Sequence, residues 1–234
     1  MAVTVLSVRN KAQLVLQDTS GIRWTSDELV DWINDAQREI VLLKPDSLAT
    51  NETITLATGT KQSIPAGGNR LLGVVRNMSA ASSGLGRRSI RIVDKEILDA
   101  QVPSWHDPAS TGDSAHGTIV KHYIYEETNP RNFYVYPGVA GSSYIEIIYS
   151  SNPAIVDITG TIGLPDIYAN AIMNYTIYMA YMKEAEYAGN QQRAQGHFQL
   201  FMTSVTGKGQ IDAMTSPNLE ARPNPIQQNP MVGN

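Results

Sequence analysis

The sequence predicts an α+β protein in which a helical bundle carries an inserted, antiparallel β-rich subdomain. Apolar residues recur every three or four positions near the start of the chain and again between about residues 164 and 207. Between these regions, polar and apolar residues alternate over short runs that are separated by turn-forming residues. We therefore expect about four helices, two before and two after the β-rich segment, followed by an extended C-terminal tail.

These patterns divide the 234 residues into four parts. We expect the N-terminal helical pair of the bundle at residues 1–48 and the inserted β subdomain at 49–160. The C-terminal helical pair is expected at 161–207, and a tail that is disordered unless docked at 208–234. The third helix is apolar on nearly every side, so the simplest packing brings it back against the opening pair.

The best-defined element is an amphipathic helix that begins after Thr25. Thr25 and Glu28 have the spacing of a capping box, and Pro45 disfavours helical backbone at the residue before it. One face carries the apolar residues Leu29, Trp32, Ile33, Ala36, Ile40 and Leu43. A first helix is predicted over residues 3–17, ended by a turn in which Gly21 takes a positive φ, and the short link predicts an antiparallel pair.

The middle of the chain predicts strands. The clearest turn pattern indicates a hairpin between residues 52–56 and 61–65. Further strands are expected at 71–78, 87–93, 119–126, 132–136 and 144–150, and Asp94 is expected to cap a short helix. The last strand carries apolar side chains on both faces, which predicts burial on both sides or contact with another subunit.

The third helix is predicted to begin at Pro165, a residue type that suits the first helical position. Its main apolar stripe is Ile167, Ala171, Tyr175 (or Asn174), Tyr178, Met182 and Ala185, widened by Ile172, Met173, Met179 and Tyr181. Gly189 and Asn190 separate it from a fourth helix, which Gly207 and Gly209 are expected to end. Beyond Gly207 the chain has four prolines and no apolar period, which is typical of a segment without its own core.

Composition excludes several classes of function. The net charge of −4 argues against a protein that grips a phosphate backbone by bulk electrostatics. Without cysteine, the chain has no disulfides, thiolate catalysis or zinc–thiolate sites. No apolar run has the length of a membrane helix, and no secretory signal is evident, so we expect a cytoplasm-like compartment or an assembly made there. The low charged fraction of 17% suggests that a partner covers part of the surface.

No catalytic constellation emerges from the motifs. The four histidines (His106, His116, His122 and His197) have neither metal-ligand spacing nor a neighbouring nucleophile motif. The lone G-x-G at Gly84 and Gly86 precedes a strand, not a helix, so it is a weak nucleotide motif. Pairs of acidic residues lie on the predicted surfaces of helices and strands. We therefore predict a protein that is not an enzyme and that needs no cofactor or metal.

Two interpretations of the aromatic residues of the β subdomain stay open at this point. Tyrosines and phenylalanines cluster between residues 123 and 149, which fits either cross-strand packing or a protein interface. An alternative function follows from the second interpretation. In it, the β subdomain is a peripheral binding module for a carbohydrate or receptor, with the loop from Trp105 to Pro108 as its site.

An ordered series of motifs resembles the head-to-tail adaptor, or connector, proteins of tailed and specifically short-tailed double-stranded-DNA bacteriophages. The series starts with RWTSDEL at residues 23–29 and continues through WINDAQREI at 32–40 and KPD at 44–46. RLL and VRN follow at 70–72 and 75–77, then FYVYP at 133–137, LPDIYANA at 164–171, KEAEYA at 183–188 and QRA at 192–194. Each motif is only moderately specific, but their order is much more so, and the resemblance spans about residues 3–207.

The resemblance implies a structural virion protein at the head–tail junction, assembled in the cytoplasm of the bacterial host. It implies a homo-oligomeric ring, commonly a dodecamer of 12 copies, that binds the portal and a downstream tail or nozzle protein. Helices would surround a channel through which double-stranded genomic DNA passes during ejection without sequence-specific binding, with the β subdomain on the periphery. Membranes have no part in this role.

Candidate contact residues follow from the helices and the tail. The expected contacts between subunits are the charged face of the second helix and two tyrosines of the third: Asp31, Asp35, Arg38, Glu39, Tyr178 and Tyr181. The tail is expected to dock on a partner through its isolated apolar residues, Ile211, Met214, Leu219, Ile226 and Met231.

Overall fold

The computed structural model, which describes residues 2–81 and 84–215, confirms the α+β class. Its described helices are α1 (Val5–Leu16), α2 (Ser26–Leu43), α3 (Lys95–Gln101), α4 (Ala169–Lys183) and α5 (Asn190–Met214). Its described strands are β1 (Ala49–Thr55), β2 (Gly59–Ser63), β3 (Gly68–Met78), β4 (Gly86–Ser89), β5 (Arg91–Ile92), β6 (His122–Tyr125), β7 (Asn132–Val139) and β8 (Tyr144–Ser151).

The predicted capping box at the start of α2 is confirmed. The Thr25 hydroxyl accepts from the backbone N–H of Glu28, and the Glu28 carboxylate accepts from the backbone N–H of Thr25 at 3.1 Å. Leu29, Ile33 and Ile40 are fully buried on the predicted face. Leu43 was placed on that face wrongly, because it lies in the last turn and is exposed.

The link between α1 and α2 is organised by Asp18, and the prediction for Gly21 was incomplete. Gln17 takes the left-handed conformation that ends α1, with φ of 57°, and Gly21 takes a second positive φ of 65° four residues later. The Asp18 carboxylate accepts from three successive backbone N–H groups, those of Ile22, Arg23 and Trp24. These bonds explain why the turn does not depend on glycine alone.

Helix α4 packs against α1, α2 and α5, as its apolar character predicted. Its buried residues are Ala171, Ile172, Thr176, Ile177, Ala180 and Tyr181. The predicted main stripe was wrong at Ile167, Met182 and Ala185, which are exposed, and Ala185 lies beyond the end of α4. A 3-10 turn at Asp166–Tyr168 precedes the α-helix, and its tighter winding changes the phase of the side chains. The arrangement of the helices as a four-helix bundle stays a prediction.

Helix α5 continues past Gly207 and Gly209 to Met214, so the prediction that it ends at Gly207 was wrong. Lys208 and Asp212 form an i,i+4 ion pair at 2.8 Å, and Asp212 also pairs with Lys44 at 2.5 Å. These contacts hold the last turns against α2 despite the two glycines. Ile211 and Met214 are therefore helical. The tail residues Leu219, Ile226 and Met231 lie outside the described residues.

The predicted hairpin between residues 52–56 and 61–65 is wrong, although both strands exist. β1 pairs with β8 and β2 pairs with β7, in two different sheets of order β1-β8-β3-β4 and β2-β7-β6-β5. The link between β1 and β2 is held by Gln62, whose side chain bonds both the N–H and the carbonyl of Ala57. The backbone groups of Ala57 are therefore hydrogen-bonded within the link, although the chain crosses there from one sheet to the other.

The predicted strand at 87–93 is divided at Ile90, because the chain also crosses there from one sheet to the other. β4 pairs with β3 in the first sheet, whereas β5 runs parallel to β6 in the second. Ile90 is buried between them, in a core that takes residues from both sheets, including Val74, Phe133 and Ile147. The sheets thus pack face to face. The other predicted strands and the Asp94-capped helix are present, with bounds shifted by a few residues.

β8 is a central strand between β1 and β3. Ile145, Ile147 and Tyr149 face the core, and the opposite face, with Glu146 and Ile148, is half-buried. Full burial on both faces is therefore not found within the chain, and contact of this face with another subunit stays a prediction.

The returning segment after β8 joins the sheets to the helices. The Asn34 side chain bonds the N–H and the carbonyl of Val156, and Gln37 accepts from the N–H of Gly163 at 2.7 Å. The N-terminus adds backbone bonds from Val5 to Gly160 and from Ile162 to Val3. Helix α2 thus contacts α1, α4 and α5 and also holds the returning segment.

Candidate interaction surfaces

Across residues 2–81 and 84–215, no group of three or more histidines and carboxylates is placed to hold a metal ion. Burial lowers the pKa of His106, His122 and His197, and His106 also contacts the Thr60 hydroxyl at 2.7 Å. His106 stacks on the Trp105 ring, and His122 and His197 are half-buried, so these histidines contact neighbouring side chains of the fold. No helix in the same part of the chain is long and apolar enough to cross a membrane.

In the loop that was predicted to bind carbohydrate, the Trp105 side chain is packed inside the protein. Trp105 has no exposed surface, and its indole N–H donates to Asp99 at 2.7 Å. Its ring stacks on His106 and meets Tyr134 edge to face. The prediction of a sugar-binding platform here was wrong, because the tryptophan that would form it is the centre of a small core with Leu98 and Ile124.

The aromatic residues of the β sheets are mainly packing residues. Phe133, Tyr136 and Tyr149 are buried, and Phe133 and Tyr149 lie in the core between the sheets. Tyr134 and Tyr144 are half-buried. Of the two interpretations of this cluster, burial favours cross-strand packing.

The charged face predicted on α2 is accessible. Asp31 is exposed, Asp35 and Arg38 form an i,i+3 ion pair at 2.7 Å, and Glu39 is half-buried. An ion pair between exposed side chains contributes at most about 1 kcal/mol to folding, so these groups can exchange partners at little cost. Their role in contacts between subunits stays a prediction.

The two tyrosines of α4 that were predicted to contact another subunit differ in their exposure. Tyr178 is half-buried against the rings of Tyr175 and Phe198, with centroids 5.7 and 5.0 Å away. Tyr181 is only 8% exposed and packs edge to face on Trp24. Tyr181 was therefore misassigned as a contact between subunits, because its surface is already covered within the chain.

Three contacts fix the N-terminal end of α2 to the end of α4. The Trp24 indole donates to the carbonyl of Ala180 at 3.0 Å, Arg23 pairs with Glu184, and Lys183 pairs with Glu28. The Lys183 ammonium and then the capping N–H of Thr25 lower the pKa of Glu28. The capping box and the tertiary ion pair therefore use the same carboxylate, which makes this corner of the helical part well defined.

Helices α1 and α5 each carry a set of large exposed apolar side chains. On α1 these are Leu6, Leu14 and Val15, and on α5 they are Phe198, Leu200, Ile211 and Met214. Exposed apolar side chains such as Leu42, Ile97 and Met182 also lie on the other helices. On α1, Leu6 and Leu14 are 8 residues apart. On α5, Leu200 is 11 residues from Ile211 and 14 residues from Met214. These spacings place the named residues on one side of each helix. Sequence reasoning missed Leu6, Leu14 and Leu200, although their helical spacing was a usable signal. Apolar surface of this kind is typical of partner contacts.

The basic residues of the β sheets lie on edge strands. Arg87 and Arg88 are on β4 and Arg91 is on β5, and all three are exposed. Charged side chains at a sheet edge discourage pairing with another chain, which is a sufficient explanation for them. Arg76, by contrast, is paired with Glu146 at 2.6 Å.

A search of curated proteins found no match to the chain. The model of the SU10 adaptor protein family matches residues 3–222, which include all the helices and strands described above. The match covers nearly the whole chain and extends beyond the motif series into the predicted tail. The chain therefore belongs to the SU10 adaptor protein family, which makes it a bacteriophage head-to-tail adaptor, as its ordered motifs predicted.

Proposed function

We propose that this adaptor forms a ring of 12 copies between the portal and the tail, and that the ring is a conduit for genomic DNA. Family membership supports the structural role at the head–tail junction. The observation that carries the ring is the pair of separate apolar surfaces on α1 and α5. A ring built head to tail needs two different patches on each subunit, one for each neighbour.

The positions of these surfaces are suitable for such a contact. α4 packs against both α1 and α5, while the outward side chains of α1 and α5 remain uncovered within the chain. In the proposed ring, the α5 surface of one copy meets the α1 surface of the next, and the β sheets project to the periphery. Asp31, Asp35, Arg38, Glu39 and the exposed part of Tyr178 are additional candidate contacts between subunits.

Net charge supports passage of DNA without tight binding. Twelve copies at −4 each would carry −48, which disfavours adhesion of a polyphosphate. The proposed ring therefore conducts double-stranded DNA through its channel without sequence-specific contacts.

The C-terminal part is proposed to dock on the portal or on the downstream tail protein. Ile211 and Met214 are exposed on the last turns of α5, and Leu219, Ile226 and Met231 follow beyond the described residues. Repeated moderate contacts of this kind gain affinity when many are made at once around a ring.

Ring formation is tested by native mass spectrometry and negative-stain imaging of the purified chain, alone and with portal rings. We expect rings, at least in the presence of portal. Leu200→Asp and Ile211→Asp each place a charge on the α5 surface and should lower ring yield at least about tenfold, since burying an unpaired charge costs several kcal/mol. Ile155→Asp, at an exposed isoleucine outside the helices, is the matched control. A persistent monomer with portal present would contradict the proposal.

Tail docking is tested by truncation after Thr215, which leaves α5 intact. The truncated chain should fold with unchanged helical circular dichroism and bind portal rings more weakly. Normal portal binding by the truncated chain would show that docking does not use the tail.

A further inference from the structure

An open cleft of about 670 Å³ lies where the end of α2 meets the ends of β3 and β8. It is separate from the apolar surfaces of α1 and α5. Its walls are apolar at Val41, Leu42, Pro45, Pro130 and Pro153, and polar at Arg38, Glu39, Asn69, Arg70, Glu127, Ser150 and Asn152. Leu42 is 73% exposed there, an unusual position for a leucine in a subunit that is complete by itself.

Two buried polar atoms at the cleft have no hydrogen-bond partner among the described residues. Arg70 and Ser150 are cross-strand partners on β3 and β8. Ser150 has no exposed surface, yet its Oγ is unpaired, as is the buried Nε of Arg70. A buried unsatisfied polar group costs roughly 1–3 kcal/mol. Of the two residues, Arg70 is half-buried at the cleft wall and is the one that a ligand can reach.

The chemistry of the cleft fits an extended peptide. Two arginines and two glutamates line it, so their formal charges cancel and neither a polyanion nor a polycation is favoured. Proline and leucine walls beside hydrogen-bond donors match an extended, proline-containing segment, which presents backbone carbonyls and separated apolar side chains.

The described part of the chain ends close to this cleft. Asp212, three residues before Thr215, pairs with Lys44, which lies between the cleft residues Leu42 and Pro45. The 19 residues from 216 to 234 can span up to about 60 Å when extended, so reach is not limiting. This segment contains four prolines and the separated apolar residues Leu219, Ile226 and Met231.

We propose that residues 216–234 bind in this cleft of the same chain, with a backbone carbonyl or the Glu220 carboxylate accepting from Arg70. The segment that is proposed to dock on the portal then has a first site on its own subunit. Portal docking requires it to leave that site. The intramolecular contact does not depend on ring formation.

Engineered cysteines test this contact cleanly, because the chain contains none. Leu42→Cys is combined in turn with Leu219→Cys, Ile226→Cys or Met231→Cys in the full chain, without portal. The matched control replaces Leu42→Cys with Ile22→Cys, on an isoleucine of the α1–α2 link that is 85% exposed and does not line the cleft. Intramolecular disulfides are counted by intact-mass and non-reducing gel analysis of the oxidised protein.

We expect at least one pair with Leu42→Cys to form an intramolecular disulfide about tenfold faster than the same tail position with Ile22→Cys. Arg70→Ala in that background should return the rate to the control value, and circular dichroism confirms that this variant is folded. Equal rates at Leu42 and Ile22 would overturn the proposal. Disulfides found only between two chains would overturn it as well and would identify a second copy as the occupant. Ring formation is measured separately, so either proposal can fail alone.

Discussion

Asn34 of α2 makes a paired hydrogen bond with the backbone of Val156. Its Nδ2 donates to the Val156 carbonyl at 2.9 Å, and its Oδ1 accepts from the Val156 N–H at 2.9 Å. Asn34 is 5% exposed and also bonds the carbonyl of Val30. One polar residue on a largely apolar helix face therefore fixes the segment that returns from the β sheets to α4.

Replacement of this asparagine should destabilise the chain. Asn34→Ala leaves the N–H and the carbonyl of Val156 without their partner, and we expect a loss of about 2–4 kcal/mol in the free energy of unfolding. Urea denaturation followed by circular dichroism measures it. Asn10→Ala, at an exposed position of α1, is the control and should change stability by less than about 0.5 kcal/mol. A similar value for the two variants would show that the Asn34 bonds do not hold the returning segment.

Stability should fall in acid partly through Glu28. The Lys183 ammonium and the N–H of Thr25 lower the pKa of Glu28 from its ordinary value of 4.5. Because the folded state lowers this pKa, the contribution is present above about pH 4.5 and is lost as the pH falls through the folded value. Glu28→Gln should therefore flatten the change in unfolding free energy between about pH 6 and 3.

Lys183→Met provides an independent check of the same ion pair. It removes the largest cause of the Glu28 shift and should also reduce the slope, although the capping bonds remain. Unchanged slopes in both variants would mean that the Glu28 carboxylate gains nothing from folding.

Trp105 should act as a core residue and not as a ligand contact. Trp105→Ala removes a fully buried ring and the bond to Asp99, so we expect a loss of about 3–5 kcal/mol. Ile155→Ala, at an exposed position, should cost little. If Trp105→Ala left stability unchanged, the small core around this residue would be wrongly described.

The elements with complete local signals were predictable from the sequence. For α2, the Thr25–Glu28 spacing, the apolar period and Pro45 all indicate the same helix, and the structure confirms it. Asp94 likewise marks the start of α3, where its carboxylate accepts from the backbone N–H of Glu96. In each case the signal and the hydrogen bond that it predicts lie within a few residues of each other.

The errors occurred where distant partners decide the structure. Strand pairing was wrong because the turn residues after β1 do not encode that β1 joins β8, some 90 residues later. The end of α5 was misplaced because Lys44, on another helix, stabilises the turns that contain Gly207 and Gly209. Neither β8 nor Lys44 can be identified as a partner from the residues next to β1 or next to the end of α5 in the sequence.

The candidate surfaces were predictable only in part. The charged residues of α2 are accessible as expected, whereas Tyr181 proved to be buried against Trp24. A tyrosine on an apolar helix has the same pattern whether it meets its own chain or a neighbour. The apolar surfaces of α1 and α5 were not predicted, because the apolar residues of each helix were assigned to one buried face.

The most direct measurement of the central proposal is a cryo-electron microscopy map of the intact phage particle. Our account predicts a ring of 12 copies between the portal and the tail, with the apolar surfaces of α1 and α5 buried between neighbours and the β sheets outside. A chain found elsewhere in the particle, or copies at the junction that do not contact one another, would contradict it.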